Sequence, residues 1–169
     1  MHRCASTALF FALVLATASL PATAREVGGI EMPEETIAAG HPTPLRLNGA
    51  GVRRKLFVAV YAIGLYLPSP TRDPARVIAA DGPRLVVMRF LHREVPRDKL
   101  VAAWNEGFAA NHDPADLAAL QPRIDRFNAL FETLREGDRV DLEFEPGRKT
   151  PQVRITGQVR GEAPGAEFA

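Results

Sequence analysis

Arg53 and Tyr61 are the residues best placed to do chemistry in this chain, and both stand in the stretch Leu47 to Pro68, LNGAGVRRKLFVAVYAIGLYLP. The stretch opens with Gly-Ala-Gly, passes Arg53, Arg54 and Lys55, and then runs mainly apolar to Pro68. A continuous apolar run fits a buried strand or a buried helix, and composition favours strand. Val52, Val58, Val60, Tyr61, Ile63 and Tyr66 are β-branched or aromatic, whereas Gly64 would weaken a helix interior. Gly64 reads instead as a bulge or bend that splits the run into two strands. Side chains alternate along a strand, so Arg53, Lys55, Phe57, Ala59 and Tyr61 share one face. A guanidinium, a phenol four alternations further on and apolar residues between them would hold an amphipathic molecule by its anionic end. A solvated strand end followed by a core tyrosine gives the same pattern, and alternation leaves both readings open.

Other chemistries find little support. His41, His92 and His112 are scattered, and no pair has the spacing of a metal-binding helix or a zinc knuckle, so no metal site or other cofactor is expected. Ser69 lies beside prolines without a Gly-x-Ser-x-Gly elbow. GAGVRR lacks the Gly-Lys-Ser/Thr ending of a phosphate loop and leads into a strand.

The 169 residues suit one domain. Residues 1–24 have the pattern of a secretory signal peptide. His2 and Arg3 form a basic start, Ala8 to Ala16 an apolar core, and Ala22-Thr23-Ala24 a small-x-small cleavage site. That core is shorter than the roughly 20 residues of a membrane span. Cys4, the sole cysteine, falls in the leader, so a chain starting at Arg25 has no thiol chemistry and suits an oxidising compartment. A periplasmic or secreted location is therefore expected, with no stable membrane span after cleavage. The leader holds one arginine and no acid, so its removal leaves 20 basic residues against 20 acidic ones. Without a basic footprint, nucleic acid is not an expected partner.

The remaining pattern supplies the elements that position the pair. Val27 to Met32 reads as an edge strand ended by Pro33, and Leu85 to Leu91 as a core strand. Asp73-Pro74 starts a short helix through Ala80. Pro96 to Asn111 carries Leu100, Ala103, Trp104, Gly107 and Phe108 at helical spacing, which makes Trp104 and Phe108 core contacts. Asp113-Pro114 starts a longer helix whose stripe runs from Leu117 through Phe127 and Phe131 to Leu134 and stops at Gly137, with Pro122 kinking or dividing it. Val140 to Phe144, a Pro146-Gly147 turn and Val153 to Val159 read as a hairpin with polar residues on its outer face. Strands, then helices, then strands describe an α+β fold with an antiparallel sheet covered on one side.

The segment GAGVRRKLFVAVYAIGLYL resembles the strand pair bearing the active-site arginine of the chalcone isomerase family, especially its bacterial secreted branch. REVPRDKLVAAWNEGF, the helix from Asp113, DLEFEPG and GQVRGEAPGAEF follow in the family's order, so the resemblance spans nearly all of residues 25–169. It implies an open-faced antiparallel sheet with helices packed on one face. It also implies that Arg53 stands at the family's arginine and Asn105, in AAWNEGF, at its asparagine. Family catalysis is an intramolecular ring closure in which arginine attracts a phenolate while threonine, tyrosine and asparagine hold the reacting groups. Tyr61 replaces the threonine, and Asp98 falls near the tyrosine position, where it cannot act as a neutral phenol. The family's further C-terminal helix over the cleft has no counterpart before Ala169.

These departures favour a secreted, non-catalytic protein that binds a small amphipathic, fatty-acid-like ligand through Arg53, Tyr61 and Asn105. One alternative is an isomerase or lyase acting on a phenolic or unsaturated carbonyl compound, with the same three residues as its site. A second is a structural partner of another envelope protein, docking through the uncovered apolar surface.

Overall fold

Reversal of the chain at Leu56 and Phe57 sets the architecture. In chain order, the computed structural model contains β1 (Ala24–Val27), β2 (Ile30–Pro33), β3 (Glu35–Thr36), β4 (Leu45–Lys55), β5 (Val58–Leu67) and α1 (Pro74–Ala79). There follow β6 (Arg84–Phe90), β7 (Glu94–Val95), α2 (Arg97–Asn111), α3 (Pro114–Ala129), β8 (Leu134–Arg135), β9 (Arg139–Phe144), β10 (Gln152–Ile155) and β11 (Gln158–Glu162). It describes residues 24–39, 41–145 and 151–162. Nearly all of the expected leader, with Cys4, therefore lies outside the described residues, as do the Pro146-Gly147 turn and the segment after Glu162.

The Leu47 to Pro68 run is two strands, but Gly64 does not divide it. β4 and β5 pair antiparallel around a turn at Leu56 and Phe57, while Gly64 lies inside β5 opposite Ala50. The reason is packing. A Cβ at Gly64 would sit 2.8 Å from Met32 Sδ and 3.2 Å from Leu47 Cδ1, so this glycine admits the N-terminal hairpin rather than bending the strand. The turn contains neither glycine nor asparagine, and Leu56 takes φ 54°, a left-handed conformation that costs a leucine roughly 1–2 kcal/mol. Leu56→Asn is expected to raise the midpoint of urea denaturation, because asparagine tolerates that conformation.

Seven strands form one antiparallel sheet in the order β11-β10-β9-β6-β5-β4-β3. Alternation gives it two buried faces. Met88, Phe90, Val140, Val153 and Ile155 face Leu100 of α2, Phe127 of α3 and Phe131. On the opposite face Leu45, Leu47, Ala62, Tyr66, Leu85 and Val87 pack beneath Met32 and Ala38. The helices thus occupy one face, as the order of elements implies, and β1–β2 packs on the other. The expected single edge strand at Val27 to Met32 is instead this hairpin, reversed at Gly28 and Gly29 with φ 63° and 81°.

Asp113 caps α3 as expected, its Oδ1 accepting from the backbone N–H groups of Ala115 and Asp116, each at 2.9 Å. Pro122 does not divide the helix; exposed on its outer side, it removes one internal hydrogen bond. Nor does the helix extend to Gly137. It ends at Ala129, where Arg97 donates to the carbonyls of Asn128 and Phe131, at 3.3 and 3.0 Å, and satisfies the helix end from outside. Leu134 belongs to β8 and pairs with Val95, while Gly137, at φ 88°, turns the chain toward β9.

Two corrections concern the last strands. Val153 to Val159 is broken at Thr156 and Gly157, both at positive φ, so β10 and β11 form a tight hairpin. The polar face of β9 is also buried: Asp141 and Glu143 are 9% and 4% exposed. Arg139 Nε lies 2.7 Å from Asp141 Oδ1, and Arg154 Nη2 lies 3.7 Å from Glu143 Oε2. Burial pushes the Glu143 carboxyl above its ordinary 4.5, more than Arg154 and the Ala39 backbone draw it down. A carboxyl raised in the folded state contributes its stability below the unfolded pKa and loses it as pH rises through the folded one. Glu143→Gln should therefore gain in melting temperature relative to wild type as pH rises from about 4 to about 8.

Candidate functional site

The β4–β5 register places Arg53 directly opposite Tyr61. They are not separated along one strand, as alternation within a single strand implies; cross-strand partners have Cα atoms about 4.5–5.5 Å apart. Both side chains project to the helix side of the sheet and line a cavity of about 430 Å³ between β4, β5 and α2. Its apolar wall includes Val60, Val95, Leu100, Ala103 and Trp104. This volume falls within the roughly 300–1,000 Å³ of small-molecule sites.

Charged and polar side chains share the lining with this wall. Arg53 is exposed and makes neither an ion pair nor a hydrogen bond among the described residues. Lys55 and Lys99 also line the cavity, as do Glu94 and Glu106. Arg135 Nη2 lies 3.2 Å from Glu94 Oε2 and offsets that carboxylate. Burial pushes the Tyr61 phenol above its ordinary 10, and the neighbouring Arg53 guanidinium draws it only partly back. The hydroxyl therefore stays protonated at neutral pH and can donate to an anion that Arg53 attracts. The Tyr61 ring is held against buried Phe90, with centroids 5.4 Å apart.

Trp104 belongs to the apolar lining. Its ring packs against Phe131 and Phe127 at centroid distances of 5.6 and 6.3 Å, so it is the core contact that helical spacing indicates. It also borders a second, strongly apolar cavity of about 530 Å³, lined among others by Leu65, Val86, Phe108 and Leu142. Its indole Nε1 is buried with no hydrogen-bond partner among the described residues.

Asn105 stands elsewhere. It is exposed, does not line either cavity, and its Oδ1 accepts from Asn128 Nδ2 at 2.8 Å, tying α2 to α3. Its neighbour Trp104 and the positions Lys99, Leu100 and Ala103 form the helix face that closes the site. Their three- and four-residue spacing was the available signal.

A curved antiparallel sheet with its ligand-sized cleft under helices defines a class of fold, and sequence comparison supplies the family. The chain belongs to the chalcone isomerase-like family, which matches it over residues 24–169. Among solved structures it resembles a fatty-acid binding protein of Arabidopsis thaliana, with a TM-score of 0.62 and 19% sequence identity over 79% of this chain and 77% of that one. No curated protein matches it in sequence.

Proposed function

We propose that the protein is a non-catalytic binder of a small amphipathic carboxylate, a fatty-acid-like molecule whose acid group lies between Arg53 and Tyr61. One observation carries this reading: a cation without a protein partner among the described residues stands at the mouth of an apolar cavity. A guanidinium binds a carboxylate through two parallel hydrogen bonds, and the protonated phenol supplies a third donor. The ligand's tail then runs along Val60 and Leu100 toward Trp104. The fatty-acid ligand of the Arabidopsis protein supports the same class. Tyr61 is the only hydroxyl among the described lining residues, and Asn105 does not line the cavity; both features favour binding over the family's ring closure, in which threonine, tyrosine and asparagine together hold the reacting groups.

The leader pattern at residues 1–24 supports a periplasmic or secreted location and, with it, the family's bacterial secreted branch. No helix among the described residues is long and apolar enough to cross a membrane. Native mass spectrometry of protein purified from its own compartment tests both parts. The expected spectrum shows a chain starting at Arg25 and a second peak shifted by the mass of a carboxylic acid. A chain that retains Phe10 to Leu20 overturns the secreted assignment, and loaded protein with only an uncharged ligand overturns the role of Arg53.

A further inference from the structure

We propose that the tip of the β4–β5 hairpin docks on a membrane surface rich in anionic lipid. Leu56 and Phe57 are 89% and 95% exposed, and Val58 beside them is 47% exposed. Two-residue hairpin turns favour asparagine and glycine, which suit both the left-handed backbone and the water around it. This turn instead holds Leu56 at φ 54° and presents two large, exposed apolar side chains at the end of the β4–β5 hairpin.

Immediately behind the tip stand Arg53, Arg54 and Lys55, all exposed and none in an ion pair among the described residues. Apolar side chains ahead of a collar of cations are complementary to a bilayer, whose hydrocarbon lies beneath a layer of anionic headgroups. A protein partner fits less well. An aromatic side chain buries about 150–250 Å², and two side chains on a narrow tip fall far short of the roughly 1,200 Å² of a stable protein interface.

Lys55, Leu56 and Val58 also line the Arg53 cavity, so docking would set the cavity mouth against the layer in which amphipathic carboxylates reside. That consequence rests on the ligand reading above; the docking itself does not.

Sedimentation with vesicles tests the proposal, using phosphatidylcholine alone and phosphatidylcholine with about one-third phosphatidylglycerol. Wild type is expected to sediment with the anionic vesicles and to be released as salt rises. Phe57→Gln and Arg54→Gln change residues that do not line the cavity; the first should weaken partitioning about tenfold and the second less. The indole introduced by Phe57→Trp should be quenched by brominated lipid. Equal sedimentation of wild type and the double variant Arg54→Gln/Phe57→Gln overturns the proposal, as does failure of wild type to sediment. A dimer that Phe57→Gln dissociates, with no effect on vesicles, would make the tip a self-association contact instead. Binding of a soluble fatty acid without vesicles should be unchanged in these variants. Vesicle binding without fatty-acid binding would remove the ligand reading and leave the docking intact, and the converse would do the opposite.

Discussion

Replacing Phe131 with alanine is expected to lower folding stability by about 3–5 kcal/mol, a large share of the roughly 5–15 kcal/mol available to a domain. Phe131 is 3% exposed, and its ring centroid lies 4.9 Å from that of Phe127 and 5.6 Å from that of Trp104. Truncation would remove apolar contacts on both sides and leave a void that the sheet and helices cannot close fully, because strands β6 and β9 fix one wall and α2 and α3 the other. Urea denaturation should show a lower midpoint with an unchanged slope. Phe57→Ala is the matched control, since the same residue type at 95% exposure should change stability by no more than about 0.5 kcal/mol. Equal effects at the two positions would remove Phe131 from the core. The change should reach the site as well, because Phe131 supports the ring of Trp104, which lines the Arg53 cavity.

The local rules that position this core were legible in the sequence. Asp113-Pro114 and Asp73-Pro74 marked helix starts because the capping carboxylate and the N–H groups it accepts from are sequence neighbours. The stripe through Ile124, Phe127, Phe131 and Leu134 showed burial, since periodicity reports which side chains leave water. It did not show where the helix ends, because the group satisfying the last carbonyls is Arg97, which arrives from another segment. Gly64 misled for a similar reason: its neighbour Met32 is distant in sequence, so a packing glycine looked like a bend. The true reversal at Leu56-Phe57 carried no turn residue to announce it. Arg53 and Tyr61 could be named in advance, by alternation and by resemblance, but their juxtaposition across two strands followed only from that reversal. Asn105 was named from its place in AAWNEGF, and such a correspondence specifies a helix position without specifying what the cavity beside the helix contains.

Arg53→Ala is expected to weaken binding of a fatty acid by roughly ten- to a hundredfold, the range for losing a hydrogen-bonded charge contact, with the lower end favoured by the exposure of Arg53. Arg53→Lys should fall between wild type and alanine, because an ammonium keeps the charge but loses the two-pronged geometry. Titration calorimetry against a fatty acid and the alcohol of equal chain length separates charge from burial, and affinity for the alcohol should change little. Tyr61→Phe should weaken the acid several-fold through loss of one donor, while keeping the ring against Phe90. The double variant decides the geometry. Cross-strand neighbours that hold one carboxylate should couple, so that Arg53→Ala together with Tyr61→Phe costs less than the two single effects added. Residues gripping opposite ends of a ligand would instead act independently. Additive losses would therefore contradict a shared head-group site, and equal affinity of wild type and folded Arg53→Ala for the acid would leave Arg53 as a solvated cation at the end of its strand.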